Sequence, residues 1–439
     1  MFFIQYFEFI SKNNSIKIDL ISSKKKLKKM ITLNNEVPIS TQPVLVNFIS
    51  DCLDNIQIII QHWIRILHIQ FGWTHDFDKF IIDYSIPFFI LDTFCSSSKL
   101  LTTLVGHTDR VYSIDYSTFD GNNLLCSGSD DNTIRVWNTE TNKQIQLFNG
   151  HSDYVSCVRF SPYHYHYHCR NVICSSSWDN TFRCWDVKDN QQSKIFKGRD
   201  FGIYCFEFSP FNGSRYLCCG SDYTISLFDV ETFKSLHTFK GHGRNVWCVD
   251  FSPLQGSNNI GVIGGNGYTI CSGSDDNTIR IWDIETAKQL IEFDWHESAV
   301  WSVKYGSNEL GNIGGANTIL SGSGDFSACL WDIRSGEQIQ VFKGHTGGVM
   351  AVEYSPFVIK NSSDYSNVIC SGSFDSTIRF WDIRSNKKEL YMIKGSNEED
   401  FGIFSLQFVQ LEEKRIINDD CCDINLYYGL GNGSIRIWG

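Results

Sequence analysis

From residue 99 onward, apolar and polar positions alternate in short runs of about five to six residues, the length of ordinary strands. TIRVW and TIRIW, for example, put isoleucine and valine on one face and threonine and arginine on the other. Gly, Asn, Asp, Ser and Pro fall between the runs, where they break strands and make turns. The pattern predicts antiparallel strands joined by tight turns such as SDDNT, whose Asp and Asn side chains bond nearby backbone N–H groups.

The pattern also returns at intervals. SGSDDNTIRVWN (127–138), SSSWDNTFRCWD (175–186), CCGSDYTISLFD (218–229), SGSDDNTIRIWD (272–283), SGSGDFSACLWD (321–332), SGSFDSTIRFWD (371–382) and YGLGNGSIRIWG (428–439) are seven copies of one segment. Upstream of most lies GH and a V-x-x-V-x-F-S-P type run, and downstream a turn and a run such as ETNKQIQLF. Each unit therefore carries four strands. Such a sheet cannot bury both faces alone, so copies must stack face to face, and a radial ring does this with few open edges. The last copy lacks its outer run, while KLLTTLVGH (99–107) carries an orphan one.

On the strength of GH, the D-x-T-I-R-x-W-D stretch and their regular return, residues 99–439 resemble the WD-repeat β-propeller family. The resemblance implies an all-β fold, a seven-bladed propeller of four-stranded antiparallel blades. The last blade would borrow its outer strand from the start of the domain, with Leu100–Val105 beside Gly433–Trp438. It also implies a buried hydrogen-bonded network inside five units: His107, Ser127, Asp131, Trp137; His151, Ser175, Asp179, Trp185; His242, Ser272, Asp276, Trp282; His296, Ser321, Asp325, Trp331; and His345, Ser371, Asp375, Trp381. The third unit has Arg199, Cys218, Asp222 and Phe228 at the corresponding places, and the seventh has no histidine and Asn432 in place of Asp. Both are expected to be softer blades.

The His, Ser and Asp sets imitate hydrolase triads. Catalysis needs one nucleophile, one base and one oxyanion site in a cleft, and five equivalent sets around a ring have no reason to be catalytic. A partner would instead meet the narrow face, where inner strands and loops converge. Five positions after the GH histidine stand Tyr112, Ser156, Trp247, Trp301 and Met350, with Tyr204 and Phe404 at the aligned places. Before the turn Asp come Asp130, Trp178, Ser221, Asp275, Gly324 and Phe374. These rings either plug the channel or form a protein-binding surface; aromatic side chains on a solvent rim cost solubility, which favours binding. Arg110 and Arg244, in the same loops as Arg199, could pair with a carboxylate on a peptide or remain solvated.

Charge narrows the partners. The net charge is −11, and residues 1–98 carry nine charges of each sign, so the whole acidic surplus lies in 99–439. An acidic surface repels phosphate backbones, so nucleic acid is a poor default partner. Sixteen cysteines, scattered singly and often within apolar runs, read as reduced core residues of a cytoplasmic, or also nuclear, protein. No apolar run reaches the ~20 residues of a membrane span.

Outside the repeat, residues 1–40 with SKKKLKKM (23–30) read as a disordered basic arm. Residues 41–98 read as helical, with amphipathic helices near 54–71 and 76–84 that either dock on the propeller or serve another chain. In SPYHYHYHCR (161–170), an extended strand would put His164, His166 and His168 on one side, a conceivable metal site, although a plain loop is the simpler reading. GVIGGNG (261–267) and GNIGGAN (311–317) read as flexible loops, not phosphate cradles. The expected function is therefore a non-catalytic scaffold binding proteins or peptides on the narrow face, without cofactor or metal, as a monomer within a larger complex. The resemblance also admits a ubiquitin-ligase substrate receptor or a ribosome or RNA-processing component, and another class would be enzymatic use of the histidine cluster.

Overall fold

The computed structural model describes residues 89–119, 122–197, 202–253, 269–306, 317–358, 368–385, 389–395, 397–410 and 424–439. The basic arm, the helices near 54–71 and 76–84, Arg199, the glycine run at 261–267 and most of that at 311–317 lie outside the described residues.

Among the described residues from Leu100 onward, the strands form seven four-stranded antiparallel sheets, each a blade of a propeller. Their innermost strands are Val111–Phe119, Val155–Phe160, Ile203–Phe208, Val246–Phe251, Val300–Tyr305, Val349–Tyr354 and Ile403–Gln410, which begin blades one to seven. In blade four, Val246–Phe251 is followed outward by Thr269–Ser274, Ile279–Asp283 and Lys288–Phe293. Burial decides the sequence of each strand. The second is buried at every residue, whereas the outermost keeps mainly Phe293 from solvent, so the outer run can be KQLIEF.

Hydrophobic clusters span neighbouring blades. Ile134, Val136 and Phe148 of blade one pack with Val155, Val158 and Trp185 of blade two, and the same scheme continues round the ring. The glycine of each SGS run permits this approach. A Cβ on Gly128 would lie 2.8 Å from the side chains of Val155 and Val158, and one on Gly429 would lie 2.7 Å from the carbonyl oxygen of Val111.

The ring closes as the orphan run suggested. Leu100–Leu104 pairs antiparallel with Ile435–Trp438, with Leu100 opposite Trp438 and Leu104 opposite Ile435. Lys99 and Gly439 extend the ladder by exchanging two backbone hydrogen bonds of 3.1 Å. Leu104 buries its side chain among Val111, Trp137 and Ile435, while Leu100 and Leu101 stay exposed.

Just before the closing strand, Phe89–Ile90 pairs in parallel with Phe357–Val358, and the helix Leu91–Ser97 follows. Its Phe94 is fully buried, 4.6 Å from Phe357 and 6.0 Å from Phe380 between ring centres.

The histidine segment is neither strand nor loop but a helix, Pro162–His168. Pro162 stands in its first turn, Ser161 caps it by accepting from the His164 N–H, and Cys169 ends it in the left-handed region at φ 49°. His164 and His168 are then one turn apart with ring centres at 6.0 Å, and His166 points away from them.

Deletion of residues 99–105 is expected to abolish the cooperative thermal transition, because the seventh blade loses its outer strand and Leu104 leaves the core. An unchanged transition in differential scanning calorimetry would refute the closure.

Candidate functional site

The register of the inner strands places the site. In every blade the pairing of the innermost strand with its neighbour slips by one residue, between Val111 and Ser113, Val155 and Cys157, Ile203 and Cys205, Val246 and Cys248, Val300 and Ser302, Val349 and Ala351, and Ile403 and Ser405. The skipped residues are Tyr112, Ser156, Tyr204, Trp247, Trp301, Met350 and Phe404. Such a bulge frees one residue from the ladder and re-aims its side chain. Here all seven line one end of a cavity of about 810 Å³ along the propeller axis.

Their rings touch in two arcs. Tyr154, Trp178, Tyr204, Trp247 and Trp301 follow one another at centre separations of 5.4, 5.3, 4.8 and 4.9 Å. Phe374, Phe404 and Tyr112 follow at 5.0 and 5.5 Å. Trp178 and Phe374 are 37% and 44% exposed, Trp247, Trp301 and Met350 half-buried. Phe404 differs from expectation: it is 6% exposed, covered by Phe374 and Tyr112, and supports the surface from beneath. Arg110 lies over Phe404 and 3.7 Å from Asp130, whereas Arg244 is exposed next to a shallow hollow with Asp275. In most blades one backbone bond ties the two rim loops, as Asp130 N–H to Arg110, Asp275 N–H to Asn245 and Phe374 N–H to Gly348.

Under these loops lie the five networks. The indole Nε1 of Trp137, Trp185, Trp282, Trp331 and Trp381 donates to Ser127, Ser175, Ser272, Ser321 and Ser371 at 2.8–2.9 Å. Each serine Oγ lies 2.7–2.8 Å from Nε2 of His107, His151, His242, His296 or His345. Each histidine Nδ1 lies 2.6–3.0 Å from Asp131, Asp179, Asp276, Asp325 or Asp375. Proton direction follows from charge. Burial pushes His107 and His151 below the usual imidazole value, and burial of Asp131 is outweighed by its bond from His107, holding it well below the carboxylate range. A neutral ring must donate from Nδ1 to the ionised Asp, so Nε2 accepts from the serine. Proton order alone would suit a nucleophile, but each of the five serines also accepts from an indole and is fully buried, so no substrate can reach its hydroxyl. In blade five, burial opposes charge on His296, but the 2.6 Å bond to Asp325 and the nearby Cys329 raise it to about 9.

Two blades depart from this scheme, and blade three is offset from the alignment of its letters. There Cys219, not Cys218, faces Phe206 as Ser127 faces Ile114, because the turn is one residue shorter. Asp222 therefore takes the place of Asp130 and accepts from the Tyr204 hydroxyl at 2.6 Å, and Ser221 that of Ser129. Phe228 stands at the tryptophan place and packs on Phe196. Blade seven keeps half the turn: Asn432 Oδ1 accepts from the Ser434 N–H and Oγ. It replaces the histidine pair with a two-pronged Arg436–Asp400 bond at 2.6 and 2.7 Å.

Three residues below the bulge a second ring, not singled out from the sequence, lines the channel: Asp115, Arg159, Glu207, Asp250, Lys304, Glu353 and Gln407. The signal was the polar residue before the last aromatic in each V-x-x-V-x-F run. Asp115 accepts from the Phe160 N–H at 2.7 Å and Asp250 from the Tyr305 N–H at 2.8 Å, each bridging to the next blade. Burial, opposed by Arg159 and Lys304 respectively, pushes both carboxyls up to about 6.

The family model for the WD domain, G-beta repeat, matches residues 98–138, 142–186, 233–283, 287–332 and 336–382, just over half of the chain. Blades three and seven, the two without the network, hold most of the unmatched propeller. The chain is 45% identical over 65 residues to nuclear distribution protein nudF 1 of Talaromyces marneffei, 15% of this chain and 14% of that protein. It is 41% identical over 63 residues to a chromatin assembly factor 1 component of Mus musculus, 14% and 11% of the two chains. It is 37% identical over 67 residues to WD repeat and SOCS box-containing protein 1 of Danio rerio, 15% and 16%. Each match spans less than a fifth of the relative's length.

Ser272→Ala strands the Trp282 N–H and the His242 ring nitrogen, and is expected to cost about 2–4 kcal/mol in urea unfolding. Cys219→Ala, at the matching place in blade three, should cost about 1 kcal/mol, the loss of a buried sulfur alone. Asp250 has a folded value raised above its unfolded one, so its penalty is absent below about pH 4 and complete above about pH 6. Asp250→Asn keeps the acceptor for Tyr305, and its melting temperature should gain on the wild type as pH rises from about 5 to about 7.5; a constant difference contradicts this.

Proposed function

The chain belongs to the WD-repeat family, and from that premise we propose that it is a non-catalytic scaffold holding a protein or peptide against the narrow face of its propeller. The observation that carries this reading is the ring of bulged aromatic side chains, continuous with the exposed Trp178 and Phe374. Aromatic residues of this kind anchor protein interfaces because they bury large areas at little entropic cost. The complete burial of the five network serines argues against hydrolysis. Among the described residues no three His, Cys, Asp or Glu side chains converge as a metal site would need, and the helix at 162–168 divides its histidines.

One relative is named as part of a chromatin assembly factor and another, of Arabidopsis thaliana, as part of coatomer, which supports work inside a larger assembly. No helix among the described residues is long and apolar enough to cross a membrane. The thirteen free thiols among them fit a reducing compartment, and we place the protein inside the cell.

The test is capture from cell lysate after cross-linking, with wild type beside a Trp247→Ala/Trp301→Ala/Phe374→Ala variant of equal melting temperature. Proteins lost from the variant alone are the expected result. An identical set from both would remove the narrow face from consideration.

A further inference from the structure

Around the channel mouth the narrow face carries charge of mainly one sign. Outside the five networks, the described loops there hold Asp109, Asp130, Asp153, Asp222, Asp275, Glu297 and Glu399 against Arg110 and Arg244, while Lys197, Lys240, Lys343 and Lys394 stand at the ends of the outermost strands, at the periphery. The second ring repeats the imbalance, with four carboxylates against Arg159 and Lys304. At the strand rise of about 3.3 Å per residue this ring lies about 10 Å below the mouth. Carboxylates in excess along a partly desolvated funnel draw in cations.

Two buried polar atoms at the mouth lack partners. Asp130 is 6% exposed in its side chain, and its Oδ1 accepts no hydrogen bond. The Nε1–H of Trp247 is buried and donates none. Their needs are opposite: the carboxylate calls for a donor and the indole for an acceptor. They stand on blades one and four, across the mouth from one another. Arg110 indicates the donor, since its guanidinium lies 5.8 Å above the Phe404 ring and 3.7 Å from Asp130 Oδ2 while Oδ1 stays free.

We propose that the mouth receives an arginine or lysine side chain displayed by a peptide, its cation against Asp130 and the aromatic ring and a backbone carbonyl on the Trp247 indole. The inference rests on the narrow-face reading and gives it a chemistry. A free polyamine would serve Asp130 but offers Trp247 no acceptor. An acidic peptide would serve Trp247 but face the surplus carboxylates. A basic peptide supplies both groups at once. Burial and the neighbouring Asp109 push the Asp130 carboxyl up to about 6, the strain that an arriving cation relieves. The aromatic rings add attraction for the same charge.

The experiment uses a short fluorescein-labelled peptide with one arginine among glycine, alanine and serine, titrated into the full chain by fluorescence anisotropy. Peptides with citrulline or glutamate at the same place are the comparisons. The arginine peptide should bind about tenfold more tightly than the citrulline one, which keeps shape and carbonyls but loses the charge. Asp130→Asn, checked for an unchanged melting temperature, should weaken the arginine peptide about fivefold, and Trp247→Phe should weaken arginine and citrulline peptides alike. Arg110→Ala should tighten the arginine peptide, because it removes a competing cation. Equal affinity for arginine and citrulline overturns the proposal without any variant. So does preferential binding of the glutamate peptide that Arg110→Ala weakens, the behaviour of a carboxylate receptor. Spermine that competes with the arginine peptide at equal charge concentration, and is unaffected by Trp247→Phe, would reduce the site to a polyamine site and overturn the peptide assignment. If no peptide binds while the triple variant still loses captured proteins, this inference fails and the scaffold reading stands; if neither effect is seen, both fail.

Discussion

The ladder between Leu100–Leu104 and Ile435–Trp438 joins the two ends of the repeat, and the other features presuppose that join. A single blade buries neither of its faces alone, so its stability comes from its neighbours. In an open row the two terminal blades would each expose an apolar face. In the ring, Val111 of blade one instead meets Gly429 of blade seven as Val155 meets Gly128. Closure is also what turns seven separate strand ends into one mouth.

Two devices then divide the work on the narrow face. The tryptophan-to-aspartate chains fix where the rim loops lie, since each Asp also accepts from backbone and hydroxyl donors of its own turn, as Asp131 does from the Thr133 N–H and Oγ1. Every polar atom in that chain is matched, which is the condition for a buried polar network to stabilise. The bulges decide what the rim displays. A bulged residue leaves its strand's ladder unaffected whatever side chain it bears, and so tryptophan, tyrosine, methionine and serine all occupy the same place.

Much of this was legible in the chain. The period, the strand count, the borrowed strand and the five networks each depend on local spacing or on a strictly repeated residue, and spacing survives in one dimension. What escaped depends on contacts between segments. Phe404 looked like its exposed counterparts, but Phe374 from the preceding blade covers it. By its letters Asp222 aligns with Asp131, because a one-residue deletion in a turn does not change the letters around it; only the pairing of Phe206 with Cys219 shows that it stands at the place of Asp130. The channel ring was present as one polar letter in each inner run, yet nothing in a single run says that seven such letters face one another. At 162–168 the alternation of histidine and tyrosine imitated a strand, and the Ser-Pro start, a helix signal, outweighed it.

The helix Leu91–Ser97 has a mechanical meaning. Any pull on the chain from its N-terminal side reaches Phe89–Ile90 and Phe94 before it reaches the closing strand. Phe94 is seated among Phe357, Phe380 and neighbouring side chains of blades six and seven, upstream along the chain of the hydrogen bonds that seal the ring. The force is therefore taken up by an aromatic anchor on adjacent blades, and the seal is shielded from tension, as a strain relief protects the joint of a cable.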